Sequence, residues 1–206
     1  MKARSFFLPG LLLSLVCLLV GTGCNVIPTS QPDATRYYVL ATLPAKPAAT
    51  PAARQWRVAL RPVDVPSFLR GKAMLVRQGG NEIHYADEAR WAESLEAGVS
   101  RVLRESLENR GEISHVVSSL GEEHDFEVAV RLLRCEGDRD AKVARFTAVV
   151  EIYPAGVGTE RRARETYNAE IPNWDGSYSQ LASKLSEGAD GVADRVVTLL
   201  EATGKP

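Results

Sequence analysis

The chain has 206 residues, of which 45% are hydrophobic and 25% charged, with a formal net charge of −1. That composition excludes a disordered polymer and is large enough for one domain with a real core. Lys2 and Arg4 are the only charged residues in 1–23, so the remainder carries 23 basic and 26 acidic side chains, a net −3. Such a balance gives no electrostatic reason to expect nucleic acid as a partner.

Lys2 and Arg4 form a short positive region, and Phe6 to Val20 is an apolar run interrupted by Pro9 and Gly10. The run is too short for a stop-transfer helix and small residues follow it, which is the pattern of a secretory signal. Val20-Gly21-Thr22-Gly23-Cys24 then resembles a lipobox, with Gly21 where Leu is usual. Residues 1–23 are therefore expected to be a lipoprotein signal peptide, and Cys24 the lipidated first residue of the mature chain. Ordinary cleavage leaving a free cysteine is the alternative. Lipidation on more than one chain would anchor the protein stably, because each buried CH₂ contributes about 0.8 kcal/mol. Once Cys17 leaves with the leader, Cys135 is the one remaining cysteine besides Cys24, so no disulfide framework is expected.

Residues 24–35 read as a lipidated tether, whose eleven polar-stretch residues Asn25–Thr35, with Pro28 and Pro32, could reach about 36 Å when extended. Residues 36–206 read as the folded domain. Arg36 to Thr42 is predicted as a strand, and the Pro/Ala-rich stretch from Leu43 to Ala53 as an extended linker. Gln55 to Leu60 is predicted as a strand, and Pro62 and Pro66 place the following segment at an edge. Met74 and Val76 share one face of the next strand, and Ile83 and Tyr85 one face of its hairpin partner. Gly79-Gly80-Asn81 supplies the positive φ values of the turn between them.

From Trp91 the period changes. Trp91, Leu95, Val99, Val102, Leu103 and Leu107 recur at helical spacing, and Gly111 is predicted to end that helix as a left-handed residue. Ile113 to Ser118 is a short strand, and Gly121 to Asp125 a polar turn. Phe126–Cys135, Val143–Tyr153 and Arg161–Ile171 alternate apolar and polar residues, predicting three consecutive antiparallel strands with one wet face. Ser177 and Gln180 fit a capping box ahead of a second amphipathic helix through Tyr178, Leu181, Leu185, Ala189, Val192, Val196 and Leu199. The expected fold class is α/β: a single domain with a mostly antiparallel sheet of about six strands packed with two main amphipathic helices.

Chemistry is hard to find. His84, His115 and His124 lack metal-ligand spacing, and the Glu122–Asp125 cluster reads as a solvated turn. No nucleophile elbow or phosphate loop is present. No catalytic, metal or cofactor site is expected. Trp91 reads as a core anchor at the start of the helical stripe. Trp174, between Pro172 and a helix, reads as an exposed aromatic, and such residues anchor interfaces. Arg161, Arg162 and Arg164 line a strand edge, which solvates it; an acidic partner or a lipid headgroup is the functional alternative.

Pro62-Val-Asp-Val-Pro-Ser-Phe-Leu-Arg70, Leu75-Val-Arg77, Asn81-Glu-Ile83 and Glu88-Ala-Arg-Trp-Ala-Glu-Ser-Leu95 occur in an order that resembles the auxiliary lipoproteins of ABC-type and MCE-type lipid transport systems, the PqiC or YmbA-like lipoproteins. Tyr37-Tyr38-Val39-Leu40 also looks like that family's mature N-terminus. Ser94 stands where many relatives have proline, a change that concerns only how the helix begins. The resemblance implies a non-enzymatic periplasmic accessory protein that docks on an MCE-type transport subunit, forms homo-oligomers and supports envelope integrity. Asn25 rather than Asp after Cys24 implies sorting to the outer membrane, on its periplasmic face. Phe68 and Trp174 are the expected partner contacts. A structural lipoprotein of another outer-membrane complex, and a periplasmic hydrolase, are the competing readings.

Overall fold

The computed structural model describes residues 33–44, 55–117, 119–156, 158 and 160–204. Its elements are β1 (Arg36–Tyr38), β2 (Trp56–Leu60), β3 (Ala73–Gln78), β4 (Glu82–Trp91), α1 (Leu95–Glu108), β5 (Ile113–Val117), β6 (Phe126–Asp138), β7 (Val143–Pro154), β8 (Ala163–Ile171) and α2 (Tyr178–Thr203), with a 3-10 turn at Ser67–Leu69. The expected leader, Cys24, most of the tether and most of the Pro/Ala stretch lie outside the described residues.

The α/β class is as expected, while the sheet is larger and more mixed. It has eight strands. The meander β6–β7–β8 is antiparallel, with Val130 opposite Val150 and Ala148 opposite Tyr167. The other edge of β6 is parallel throughout. β2 pairs with it at Phe126–Val128, Asp64 bridges to Arg131, and β3 pairs at Gly137 and Asp138. β1 joins β4, and β5 joins β2, again in parallel. Periodicity reports which face of a strand is buried and carries no information about the direction of its neighbours, so the parallel half was not visible to it.

Both helices cover one face of this sheet. Phe126, Val128, Val130 and Leu132 of β6, and Phe146, Ala148, Val150 and Ile152 of β7, all point there and are buried. Removing each large side chain from water contributes roughly 1.5–3 kcal/mol. Against them α2 lays Leu181, Leu185, Ala189, Val192 and Val196, and α1 contributes Leu95, Val99, Val102, Leu103 and Leu107 to the same core. The approach of α2 to β7 needs glycine at 188, where a Cβ would fall 2.5 Å from the Cβ of Phe146.

Several boundaries move. β4 runs on to Trp91, so Trp91 is the last residue of a strand and not the first of a helix. It is buried, as a core anchor should be. The cause is tertiary: β1 pairs with Ala89–Trp91, and the Trp91 N–H donates to Lys72 O. α1 starts after Ser94, whose Oγ accepts from the Ala97 N–H at 3.3 Å. It closes at Asn109 with φ −80°, an ordinary right-handed residue, so a left-handed Gly111 does not terminate it. In the hairpin turn only Gly79 takes positive φ, at 57°. β1 stops at Tyr38, β6 continues to Asp138, and β8 begins at Ala163. The capping box is half formed. Ser177 Oγ accepts from Gln180 N–H, while Gln180 Oε1 accepts from Asp175 N–H.

After β1 the chain is tied down between the helices. Leu40 is buried, its carbonyl accepts from Arg101 Nη2 at 2.7 Å, and the Ala41 N–H donates to Ser186 Oγ at 2.9 Å. Thr42 Oγ1 donates to the Glu105 carboxylate.

Candidate functional site

The face of the sheet away from the helices carries charges at its alternate positions. Arg77 of β3, Glu136 of β6, Arg145 of β7 and Glu170 of β8 form a ladder of alternating sign. Glu136 is fully buried and receives both Arg77 Nε, at 2.7 Å, and Nη2, at 3.0 Å. Those hydrogen bonds, with the charges of Glu136 and Asp138, hold the Arg77 guanidinium above its ordinary range against the opposing effect of burial. Arg145 reaches Asp138 at 2.6 Å and Glu170 at 3.0 Å.

Further along the same face, Arg61 donates to Glu127 at 2.7 Å and lies 4.2 Å from the centre of the Tyr153 ring. Arg131 donates to Asp64 at 2.8 Å. Between them is a recess of about 250 Å³ lined by Arg61, Pro62, Asp64, Arg131, Val149 and Glu151. A second, open groove of about 640 Å³ lies on the other flank of Pro62–Asp64, against Ser94 and Glu96 at the start of α1. Arg161 and Arg164 both turn onto Glu151, at 2.8 and 3.2 Å, so one carboxylate offsets part of the positive charge of this edge. Burial works to raise the Glu151 carboxyl, but the Tyr153 hydroxyl and the two arginines outweigh it and hold the group below the usual range. These paired charges suit recognition by exchange of ion pairs and hydrogen bonds.

The segment Val63–Arg70 does not lie on a free edge. Asp64 N–H donates to Val130 O and Asp64 O accepts from Leu132 N–H, so Pro62 and Pro66 flank a real bridge to β6. Val63, Val65 and Leu69 are buried, and Phe68 stands out at 36% exposure. The exposed Tyr85 of β4 is beside it, its hydroxyl donating to Phe68 O at 3.1 Å. Sequence reasoning singled out Phe68 but not Tyr85, which it placed only as a strand residue.

Trp174 differs from expectation. It is 3% exposed, its Nε1–H donates to Ser177 O at 2.8 Å, and its ring lies on Gly137 so closely that a Cβ there would come within 2.6 Å. The tryptophan locks the β8–α2 loop onto β6 and does not present an anchor to a partner. The missing signal was Gly137, which lies within a strand and leaves room for the ring.

The three histidines have separate partners. His84 Nε2 lies 2.9 Å from Glu82, and His115 lies 3.9 Å from Glu108. His124 is not simply solvated: its side chain is 6% exposed, with Nδ1 2.6 Å from Glu122 O, while the buried Nε2, 3.5 Å from Glu127, makes no hydrogen bond. No group of three His, Cys, Asp or Glu side chains among the described residues could hold a metal ion. No helix among them is long and apolar enough to cross a membrane.

Comparison with known proteins agrees with this architecture. Residues 38–197 match the family described as ABC-type transport auxiliary lipoprotein component. A crystal structure of a Xanthomonas campestris protein of the DUF330 family is similar with a TM-score of 0.71 at 16% identity, covering 82% of this chain and 97% of that one. A crystal structure of an uncharacterized protein is similar with a TM-score of 0.65 at 15% identity, over 80% and 97% of the two chains. No curated protein matches. The family match spans the sheet from Tyr38 in β1 to Val197 in α2, so the chain belongs to the ABC-type transport auxiliary lipoprotein components.

Proposed function

We propose that this protein is the lipid-anchored adaptor of an MCE-type lipid transport assembly, held through Cys24 at the periplasmic face of the outer membrane. Residues 1–23 are its signal peptide and 24–35 its tether. The observation that carries the reading is the family match over 38–197, which makes the chain an auxiliary component of an ABC-type transport system. The latch at Leu40–Thr42 supports it. A tether entering at Arg36 would pass its load to Arg101 of α1 and Ser186 of α2, and so to the core, not to a loose loop. Phe68 with Tyr85 is the contact offered to the MCE-type subunit or to neighbouring copies in a homo-oligomer that matches the partner's symmetry. The protein acts by docking, not catalysis, and its loss weakens the envelope.

Photo-crosslinking from Phe68 in intact envelopes tests this reading. The expected adducts are with an MCE-type protein and with other copies of the chain. Cys24→Ser should abolish membrane retention or leave an unprocessed precursor. A Cys24→Ser protein processed and retained like wild type overturns the anchor. Adducts confined to an outer-membrane complex outside lipid transport favour the assembly role instead.

A further inference from the structure

Where the tether enters the fold, the surface has an unusual character. Tyr37 is 61% exposed and Val39 51% exposed, while Tyr38 and Leu40 between and beyond them turn inward. Tyr37 is the cross-strand neighbour of Arg90, so both occupy the outer side of the β1–β4 pair. Arg90 is exposed, and so is Arg36, which starts β1 on the same side as Tyr38. Most arginines among the described residues are tied to a carboxylate or a carbonyl. The guanidiniums of Arg36 and Arg90, like those of Arg134, Arg139 and Arg162, have no hydrogen-bond or ion-pair partner among the described residues. Glu88, two residues before Arg90 on the same strand, is the acid closest to them in β4 and does not pair with either. Lys72, whose carbonyl holds the Trp91 N–H, adds a third exposed cation at this end of β4.

We propose that Tyr37, Val39 and Arg90 form a membrane-contact patch for an anionic phospholipid surface, with Arg36 at its border, resting on the reading of Cys24 as the lipid anchor. Only twelve peptide units separate Cys24 from Arg36, a reach of about 40 Å at full extension and much less on average. Tyr37 and its neighbours thus stay within that reach of the anchored cysteine. A short tether of this kind keeps them at an effective concentration on the order of millimolar. Tyrosine suits the headgroup level, where its ring is buried and its hydroxyl stays wet. The free guanidinium of Arg90 beside it complements phosphate, and each cation near an anionic surface strengthens association about fivefold. Tether, patch and latch thus orient the domain on the bilayer and do not merely leash it, which would point the remaining faces toward a partner.

The test uses the full-length lipidated protein carrying Tyr37→Trp, reconstituted into vesicles of phosphatidylethanolamine with phosphatidylglycerol that contain a brominated lipid. Trp56, Trp91 and Trp174 are all buried, so the new indole is the one that lipid can quench by contact. Strong quenching is expected, and replacing phosphatidylglycerol with phosphatidylcholine should reduce it. Arg36→Glu with Arg90→Glu should lower the docked-to-free ratio more than about tenfold, with vesicle retention unchanged. Full retention without quenching overturns the patch and leaves the anchor standing. Loss of retention in the unreversed protein overturns both. Quenching that is insensitive to lipid charge and to both reversals overturns the recognition by headgroup phosphate. Shielding of the indole only on adding a second protein makes the surface a protein interface and overturns the proposal.

Discussion

Asp190 is a sharp place to test how the two helices are held together. It is 4% exposed on α2, facing α1. Its Oδ1 accepts from Ser106 Oγ at 2.7 Å, and its Oδ2 accepts from Arg110 Nη2 at 3.0 Å. Ser106 is itself fully buried. Asp190→Ala leaves that hydroxyl without its acceptor, which costs about 1–3 kcal/mol. It also removes one carboxylate from a mostly buried guanidinium, and stripping a buried pair of one partner costs about 3–5 kcal/mol in the general case. Here the cost falls toward the lower end, because Arg110 keeps Asp194 at 2.9 Å and the Ser106 carbonyl at 3.0 Å. A loss of about 3 kcal/mol follows, which is a shift of roughly 1–2 M in the urea midpoint for a domain of this size. Asp194→Ala is the control. That carboxylate is 47% exposed, so water replaces it and the loss should stay below about 1 kcal/mol. The assay is urea denaturation followed by circular dichroism, with slopes compared to confirm that only stability has changed. A loss at Asp190 below about half a kcal/mol, or equal losses at both aspartates, would refute the claim that burial decides the difference.

Two further outcomes can be checked directly. Glu151 is held below the usual glutamate range, so its stabilising effect is present above that range and is lost as pH falls through the depressed value. Glu151→Gln should therefore be less stable than wild type at neutral pH, and the two should converge in strong acid; a constant gap across that titration would show that the charge is not the cause. Cys135 is buried against the helices, and burial pushes its thiol well above the ordinary range. It should resist iodoacetamide in the folded protein and react on unfolding, as mass spectrometry would show; rapid alkylation under native conditions would place it at an accessible surface.

Much of this fold is legible from local pattern. The alternation in β7 and β8, and in β6 as far as Leu132, determined which side chains face the helices, because successive strand residues point to opposite faces; beyond Leu132 a bulge shifts the register and turns Cys135 inward. The stripes of α1 and α2 determined their buried faces for the equivalent reason at a period of 3.6 residues. The ordered segments from Tyr37 to Leu95 pointed to the family that the match over 38–197 shows. What local pattern could not supply was partnership across the chain. Trp91 stands four residues before Leu95 and so fits a helical count, yet β1 holds it in a strand. Trp174 sits in a polar turn and reads as exposed, yet a glycine 37 positions earlier in the sequence, Gly137, opens the space that buries it. The parallel run of β2, Asp64 and β3 along β6, and the charge ladder from Arg77 to Glu170, likewise depend on which strands become neighbours. Sequence periodicity reports the environment of each side chain, whereas pairing is a contest among distant segments for the same edge, and only the assembled sheet decides it.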